Sequence, residues 1–314
     1  MKAQYPPQAG QSGSTAISAS SALFTGWAAH CSVQRGFLDI AQPSLGYATA
    51  GDSANAIGPA DGSILSLGDS GVAELAFSSP IYNGPGADFA VFENGFLDVS
   101  DPNLAYLELG FVEVSSDGIN YFRFPATSLT QDTSQIGNAN YLDARNINNL
   151  AGKYIGGYGT PFDLQELSGI TGLDINNITY VRIIDVIGSI NGHASYDSAG
   201  RKINDPYPTP FPSCGFDLDA VGVIHQITTG LPSVTNSAGI SIYPNPVTDK
   251  IIVSSNDAQN RIAVLTDIQG KILLQQTLNE KINEIPVGNF PAGIYYLILK
   301  DTKGSKWVEK ITKL

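Results

Sequence analysis

The sequence predicts an all-β protein in which a larger β-sandwich is followed by a smaller one. Three observations predict this class. Turn formers are abundant, with 33 Gly and 18 Pro among 314 residues. Only 15% of the residues are charged, and long helix-forming runs are scarce. Short runs rich in Val, Ile, Tyr and Thr recur between turns, which is typical of strands rather than helices.

The strands of the front part are separated by long loops. Asp117-Gly118 lies between two β-patterned runs and predicts a hairpin, because Gly readily adopts the positive φ of a tight turn. The region 127–168 is irregular, with short helical turns expected at 146–154 and 161–167. The runs that predict strands are 72–77, 88–93, 106–115, 121–124, 180–187 and 216–224.

The last quarter of the chain carries its own set of short strands. Pro244 and Pro246 remove two backbone donors, so they mark the edge of a sheet. Gln269-Gly270 separates two β-patterned runs and predicts a tight turn. Residues 293–299 are apolar on both faces, as expected for a central strand of a small sandwich. The remaining runs are 250–254, 262–267, 271–274 and 284–287.

A short polar linker at 230–237 divides the chain into a front domain, residues 1–230, and a tail domain, residues 231–314. The front domain contains 8 basic and 22 acidic residues, whereas the tail contains 9 basic and 7 acidic residues. Such an acidic front domain argues against binding to nucleic acid or to anionic membrane surfaces. It is compatible with bound divalent cations, because a cation offsets clustered carboxylates.

No run of about 18 apolar residues occurs, so no segment is expected to span a membrane as a helix. Residues 1–5 also lack the apolar core of an export signal. Since an exported protein needs such a signal, we infer that it has been removed or left out of this sequence.

The two cysteines, Cys31 and Cys214, are far apart in the sequence. In an oxidising exterior they could form one disulfide that joins the two ends of the front domain. The alternative is two separate buried thiols, since sequence alone does not show that the residues are close.

The tail resembles the type A C-terminal sorting domain of type IX secretion cargo from Bacteroidetes bacteria, a small Ig-like sandwich. Its motifs follow the family order: Tyr-Pro-Asn-Pro at 243–246, Asp-Ile-Gln-Gly at 267–270, Pro-Ala-Gly-Ile-Tyr at 291–295 and Lys-Ile-x-Lys at 310–313. The alternative is an Ig-like module without a transport role. The residues that match the sorting signal are Tyr243, Pro244, Asn245, Pro246, Gly293, Tyr295, Lys310 and Lys313.

This resemblance implies export across both membranes. The exported protein would be secreted or attached to the outer face of the outer membrane. Its implied partners are the type IX translocon and the outer-membrane shuttle protein of that system.

The front domain resembles jelly-roll carbohydrate-binding modules and discoidin-like domains. The resemblance lies in Phe-Val-Glu-Val-Ser-Ser-Asp-Gly at 111–118, followed by Tyr121, and in the closing run Phe-Asp-Leu-Asp-Ala-Val at 216–221. It implies a jelly-roll-like β-sandwich with a binding role.

Four polar residues form a candidate Ca²⁺ site. Asp217 and Asp219 lie two apart on a predicted strand, so their carboxylates would share one face and repel each other without a cation. Glu93 and Asn94 end another strand and offer the oxygen ligands that Ca²⁺ prefers. The jelly-roll resemblance implies a structural Ca²⁺ in the same region. The alternative is a set of solvated acids, and the scattered His and Cys residues show no Zn²⁺ spacing.

The loop 189–213 is the candidate ligand-binding segment. It is long and irregular, and loops of this length are often functional. Its rings and polar groups suit the faces and hydroxyls of a sugar, or of another polar small molecule. The alternative is an ordered strap that covers a sheet. The candidate ligand-binding residues are His193, Tyr196, Asp197, Arg201, Asn204, Asp205 and Tyr207.

These features favour a non-catalytic binding protein, secreted or on the cell surface, with a glycan or another small molecule as its ligand. One alternative is a surface protein that captures a nutrient such as a corrinoid for an outer-membrane transporter, with His193 or His225 near its metal. A glycoside hydrolase using Glu93 and Asp185 requires a carboxylate separation of roughly 5–10 Å. A structural adhesin is the remaining alternative.

Overall fold

A computed structural model describes residues 5–227, 240–256, 260–301 and 306–314. The chain divides into two compact units, Met1–Ile227 and Thr228–Leu314, which are described separately. The predicted linker at 230–237 lies outside the described residues. Within them, no helix reaches seven residues and every sheet pairing between strands is antiparallel. The predicted all-β class is therefore confirmed.

Two facing sheets form the front unit. The first has the order β1–β14–β6–β16–β2, with β4 also paired to β16. Its strands are β1 (Ile17–Ser18), β2 (Gly26–Trp27), β4 (Leu65–Ser66), β6 (Phe89–Glu93), β14 (Tyr158–Phe162) and β16 (Asp217–Val223). The second has the order β10–β9–β15–β5–β3. Its strands are β3 (His30–Gln34), β5 (Val72–Ile81), β9 (Gly110–Ser115), β10 (Phe122–Arg123) and β15 (Ile178–Asp185).

Two small sheets complete the front unit. The strands β7 (Phe96–Leu97), β8 (Leu104–Tyr106) and β12 (Leu142–Asp143) form one, in the order β12–β8–β7. The strands β11 (Thr127–Ser128) and β13 (Ile147–Asn148) form the other. Short 3₁₀ turns lie at Pro43–Leu45, Ser53–Ala56, Ala144–Asn146 and Leu164–Leu167.

The main core lies between the two large sheets because alternate residues of their strands are apolar and face inward. Phe89 on β6 stacks on Phe162 with ring centroids 5.4 Å apart, and both rings contact Phe124. Val181 and Ile183 on β15 belong to the same buried cluster. Removing one such ring costs about 3–5 kcal/mol, because the lost contacts leave a cavity.

The structure departs from the predicted elements at three places. The predicted helical turn 146–154 does not form, since a 3₁₀ turn ends at Asn146 and the chain continues into β13. The predicted strand 106–115 is interrupted, since Leu107 and Leu109 pack into a second apolar cluster between β8 and β9. The predicted helical turn 161–167 begins later, because Pro161 lies in β14 opposite Ala90. Asp163 then caps the 3₁₀ turn by accepting a hydrogen bond from the Gln165 amide.

The tail unit also contains two sheets. One has the order β17–β18–β21, from Ser241–Tyr243, Lys250–Ser254 and Ile282–Pro286. The other has the order β20–β19–β22–β23, in which β19 is Arg261–Thr266, β20 is Ile272–Leu278, β22 is Gly293–Asp301 and β23 is Lys306–Lys313. Gly270 has φ +82° in the connection between β19 and β20, which confirms the predicted turn. The buried cluster of this unit draws residues from both sheets, including Ile251, Leu265 and Leu297.

The predicted disulfide between Cys31 and Cys214 is not formed, and both cysteines are free and buried. Cys31 lies on β3 opposite Leu75, while the Cys214 thiol faces the Phe37 carbonyl oxygen at 3.5 Å. Burial raises the pKa of the Cys31 thiol to about 11 and that of the Cys214 thiol to about 12. The thiols are therefore held in the protonated, unreactive form.

We predict that neither thiol of the folded chain reacts quickly with a thiol-specific reagent at pH 8, because both are buried and protonated. Unfolding in guanidinium should expose two reactive thiols per chain. The unfolding temperature should be the same with and without a reductant. A chain without titratable thiols in denaturant would instead support the disulfide.

Candidate functional site

One end of the front sandwich core is built from acidic side chains. On β6 the inward row Phe89 and Val91 continues to Glu93, and on β15 the inward residue Ile183 is followed by Asp185, because side chains two apart share a face. Asp185 pairs with Gly110, where β9 begins, and Glu93 pairs with Leu218, near the start of β16. We call the five acids gathered there the carboxylate end; they are Glu93, Glu108, Asp185, Asp205 and Asp217.

Two of these acids accept hydrogen bonds from backbone amides. Asp185 accepts hydrogen bonds from the Ser70 amide at 2.9 Å and from the Phe216 amide at 2.7 Å. The second bond links the end of β15 to the start of β16 across the sandwich. Asp205 accepts a hydrogen bond from the Leu109 amide at 3.0 Å. Asp185 and Asp205 are therefore structural, which explains why an acid interrupts the apolar strand β15.

Glu93 and Glu108 are less well satisfied. Glu93 is 1% exposed, and its Oε2 accepts one hydrogen bond from the Gly95 amide at 2.8 Å. Its Oε1 has no hydrogen-bond partner in the described part of the chain. Glu108 is 6% exposed. Both carboxyl groups therefore lie in a poorly solvated place.

The pKa values of these two acids are raised well above their ordinary range. For Glu93 the largest cause is burial, followed by the charge of Asp217. For Glu108 burial again comes first, followed by the charges of Asp217, Glu93, Asp205 and Asp185. The strongest electrostatic neighbours of Glu108 are thus all acids. Burial and mutual repulsion therefore favour the protonated, neutral form of these two carboxyl groups.

The residues predicted to bind Ca²⁺ have separate hydrogen-bond partners in the structure. Asn94 donates its amide hydrogen to Asp217 at 2.9 Å, and Ser66 donates to the other oxygen of the same carboxylate. Asp219 instead accepts from the Asp61 amide at 3.1 Å and from the Gly62 amide. Asp217 and Asp219 therefore bind separate groups and do not form the predicted common pair.

A register shift on β16 explains why Asp217 and Asp219 do not form a pair on one face. The pairing of β16 with β6 is irregular between Leu218 and Ala220, so strict alternation does not hold across Asp219. Within the ranges 5–227, 240–256, 260–301 and 306–314, no three His, Cys, Asp or Glu side chains are already arranged around one metal position.

The predicted ligand loop is an ordered strap for most of its length. Asn204 is fully buried and accepts from the Ile136 amide at 3.0 Å, while its own amide donates to the Gln131 and Ser134 carbonyls. Asp197 accepts from the Ser128 amide at 3.1 Å. These side chains hold the loop against its neighbours and are not available to a ligand.

The remaining predicted ligand residues divide in the same way. Asp205 is buried, and the Tyr207 hydroxyl donates to Asp39 at 2.7 Å. His193, Tyr196 and Arg201 are exposed. Arg201 forms an ion pair with Asp197 at 2.7 Å and also lines a surface groove beside the segment 128–132. Of the seven residues, three therefore remain accessible.

An open groove of about 500 Å³ is lined mostly by residues of the irregular region 127–168. Leu104 and Leu142 come from neighbouring strands of the β12–β8–β7 sheet and form part of its floor. The other lining residues are Leu129, Thr130, Gln131, Ile136, Tyr141, Asp143, Arg145 and Asn146.

Tyr141 lines this groove, and its ring contacts a stacked pair of rings, Phe96 and Tyr106. We call these three rings the aromatic platform. Phe96 and Tyr106 are cross-strand neighbours whose rings are stacked, 5.2 Å apart and inclined by 7°. Tyr141 meets Phe96 edge-on at 6.3 Å and also lines the groove. Phe96 is 55% exposed, so the platform offers an apolar surface to solvent.

The polar side of the groove is held in a fixed arrangement. The Arg145 guanidinium binds both carboxylate oxygens of Asp143, with distances of 2.9 Å and 2.7 Å. The Thr130 hydroxyl has no hydrogen-bond partner among residues the structure describes, although it lies in the groove wall. Gln131 and Asn146 add further polar groups. A groove with an aromatic border and a few fixed polar groups suits a polar ligand with apolar faces.

The predicted sorting-signal residues converge in the tail unit. The Asn245 amide donates to the Lys310 carbonyl oxygen at 2.6 Å, and the Asn245 oxygen accepts from the Thr312 amide at 2.9 Å. Gly293 pairs with Lys313, and Tyr295 pairs with Ile311. The Tyr-Pro-Asn-Pro segment at 243–246 and the last strand therefore present one continuous surface, which residues so distant in sequence do not reveal.

We predict that the chain in the presence of a chelator becomes less stable as the pH rises from 5.5 to 8.0. The folded state raises the pKa of Glu93 and Glu108, so it binds more protons than the unfolded chain, and stability falls above about pH 4.5. Each acid contributes at most about 1.4 kcal/mol per pH unit. Asp69 and Asp217, with pKa values raised to about 6, act in the same direction.

Urea unfolding at the two pH values measures this effect. An equal or greater free energy of unfolding at pH 8.0 would show that deprotonation of the carboxylate end does not destabilise the folded chain.

Comparison with known proteins gives a family for the tail. Residues 241–313 match the family described as Secretion system C-terminal sorting domain. A funoran endo-beta-hydrolase from Wenyingzhuangia aestuarii is 31% identical over 85 residues. That match covers 26% of this chain and 11% of the relative, so it spans about a tenth of the relative's length.

Two solved structures show only distant likenesses. PorZ, a surface component of the type IX secretion system of Porphyromonas gingivalis, is 18% identical over 31% of this chain and 14% of its own, with a TM-score of 0.22. A β-glucuronidase from Ruminococcus gnavus is 12% identical over 78% of this chain and 36% of its own, with a TM-score of 0.20. Neither supports an argument about this fold.

The tail prediction is confirmed at the level of its domain family. In the described residues no helix is both long and apolar enough to cross a membrane. Residues 241–313 are a secretion system C-terminal sorting domain, and the chain is accordingly a secreted or cell-surface protein of the type IX secretion route.

Proposed function

We propose that the front unit is a non-catalytic binding module that holds a glycan in the groove beside the aromatic platform. The groove and platform together carry this proposal. The exposed ring of Phe96 and the groove-lining ring of Tyr141 suit the apolar faces of sugar rings, while Gln131 and Arg145 suit sugar hydroxyls. The sorting domain would deliver this module to the outer face of the outer membrane through the type IX translocon and its shuttle protein.

The distribution of acids supports binding rather than cleavage. Glycoside hydrolysis usually requires two carboxyl groups that flank the scissile bond. Asp143 is the one acid among the described residues of the groove wall, and Arg145 already binds both of its oxygens. Glu93 and Asp185, the pair considered for a hydrolase, are buried in the core and inaccessible to a polysaccharide.

We predict that Phe96→Ala and Tyr141→Ala each weaken glycan binding by about tenfold, which corresponds to about 1.4 kcal/mol, because each removes an aromatic contact surface. The full-length chain should first be screened on a polysaccharide array. Funoran belongs on that array because one relative is named for it. Calorimetry then measures the affinity of each variant for the best ligand.

Tyr196→Ala provides the matched control. Tyr196 is 52% exposed, similar to Phe96, but lies on the strap away from the residues that line the groove. Its loss should leave the affinity unchanged. Release of sugar products from the bound polysaccharide would refute the non-catalytic proposal, and a loss of affinity in the control alone would move the site to the strap.

A further inference from the structure

A second, smaller groove adjoins the groove beside the aromatic platform. It has a volume of about 230 Å³, and three residues line both grooves: Leu129, Thr130 and Gln131. The smaller groove is further lined by Ser128, Asp132, Arg201 and Lys202. We call it the basic groove, since two of these four side chains carry positive charge.

The segment 128–131 forms a wall that the two grooves share, and hydrogen bonds hold it in place. The Leu129 amide donates to the carbonyl oxygen of Asn146, a residue that lines the larger groove, at 2.7 Å. The Gln131 carbonyl oxygen accepts from the Asn204 side chain of the strap at 2.7 Å. A ligand that occupies both grooves must therefore pass this wall and be longer than either groove, as a polysaccharide chain is.

The strap orients the charge of Arg201. Its Nε donates to Asp197 at 2.8 Å, and its Nη2 lies 2.7 Å from the same carboxylate oxygen. That carboxylate is itself held by the Ser128 amide at 3.1 Å. The Arg201 side chain nevertheless stays 44% exposed. Since a guanidinium has five N–H donors, several remain on its exposed edge.

Lys202 adds a second positive charge, and a neutral acceptor holds it. Its Nζ donates to the Ile190 carbonyl oxygen at 2.6 Å. Asp132 is the one acid among the described residues that line the basic groove, so two cations share that groove with one carboxylate. The front domain has 8 basic and 22 acidic residues, yet three of those eight bases, Arg145, Arg201 and Lys202, line the two grooves. Positive charge is thus concentrated beside the proposed ligand.

We propose that the basic groove binds an acidic group, a carboxylate or a sulfate, of the same glycan chain that the larger groove holds. The ligand is then an acidic polysaccharide, an identification that rests on the proposed function. An arginine fork matches the paired oxygens of an oxyanion, and a lysine ammonium adds charge without requiring one orientation. Distant acids of the front unit oppose this binding only weakly at physiological salt, because charges more than about 8 Å apart are largely screened.

The test uses the full-length chain on an array of acidic and neutral polysaccharides. Alginate and polygalacturonate carry carboxylates, carrageenan and dextran sulfate carry sulfates, and dextran, xylan and laminarin are neutral. The probe that binds best should be acidic. Esterifying its carboxyl groups or removing its sulfates should weaken binding by about tenfold, because charge-assisted hydrogen bonds are lost. Raising NaCl from about 50 mM to about 500 mM should also weaken binding, since salt screens the charges.

Arg201→Gln and Lys202→Gln should each lower the affinity for the best acidic probe by about tenfold and leave the affinity for its neutralised form unchanged. Loosening of the strap would lower both affinities together, so their ratio separates charge recognition from a structural effect. Arg123→Gln is the matched control, because Arg123 is 41% exposed and pairs with Glu113 but lines neither groove. It should keep the full preference for the acidic probe. If Arg201→Gln does not fold, Lys202→Gln and the array still decide the question.

The possible failures are distinguishable. A neutral best-bound probe whose binding still depends on Phe96 and Tyr141 would overturn the acidic ligand and leave the proposed function intact. An unchanged affinity ratio in both variants would likewise refute the role of the basic groove. An array without any bound glycan would overturn the proposed function together with this assignment.

Discussion

The central physical constraint of the front unit is the burial of several acids at one end of its core. A carboxylate removed from water must be protonated, hydrogen-bonded or paired with a cation. Backbone amides satisfy Asp185 and Asp205, and these bonds tie β15 to β16 and the strap to β9. Glu93 accepts one backbone amide at Oε2, while its Oε1 has no partner among the described residues. Burial raises the pKa of Glu93 and of Glu108, so the protonated, neutral form of both carboxyl groups is favoured.

This constraint connects the core with the exposed surface. The segments that carry Glu93 and Glu108 continue directly into Phe96 and Tyr106 of the aromatic platform. The acids therefore lie on or next to the short segments that form β7 and β8, on which these rings lie. The tail unit is a separate module with its own core and carries the sorting domain.

The sequence predicted the regular parts of the fold better than the site. The strand 250–254 and the turn at Gly270 follow from local pattern, and the structure confirms both. Glu93 is also predictable as a candidate site residue, because an acid at the end of an apolar strand is a local signal. The burial of Glu108 is not predictable in the same way. Glu108 lies inside an apparently continuous strand, whose interruption depends on packing with residues distant in sequence. The partners of Asn204, including the Ile136 amide, are equally nonlocal, so the sequence does not distinguish an ordered strap from a ligand-binding loop.

The most direct measurement is a carbon-13 NMR titration of the glutamate side-chain carboxyl groups of the full-length chain. The burial of Glu93 and Glu108 predicts two carboxyl signals with pKa values well above 4.5, and Glu93→Gln and Glu108→Gln should each remove one of them. A chain in which every glutamate titrates in its ordinary range would contradict the claim that the core buries these two acids without full compensation.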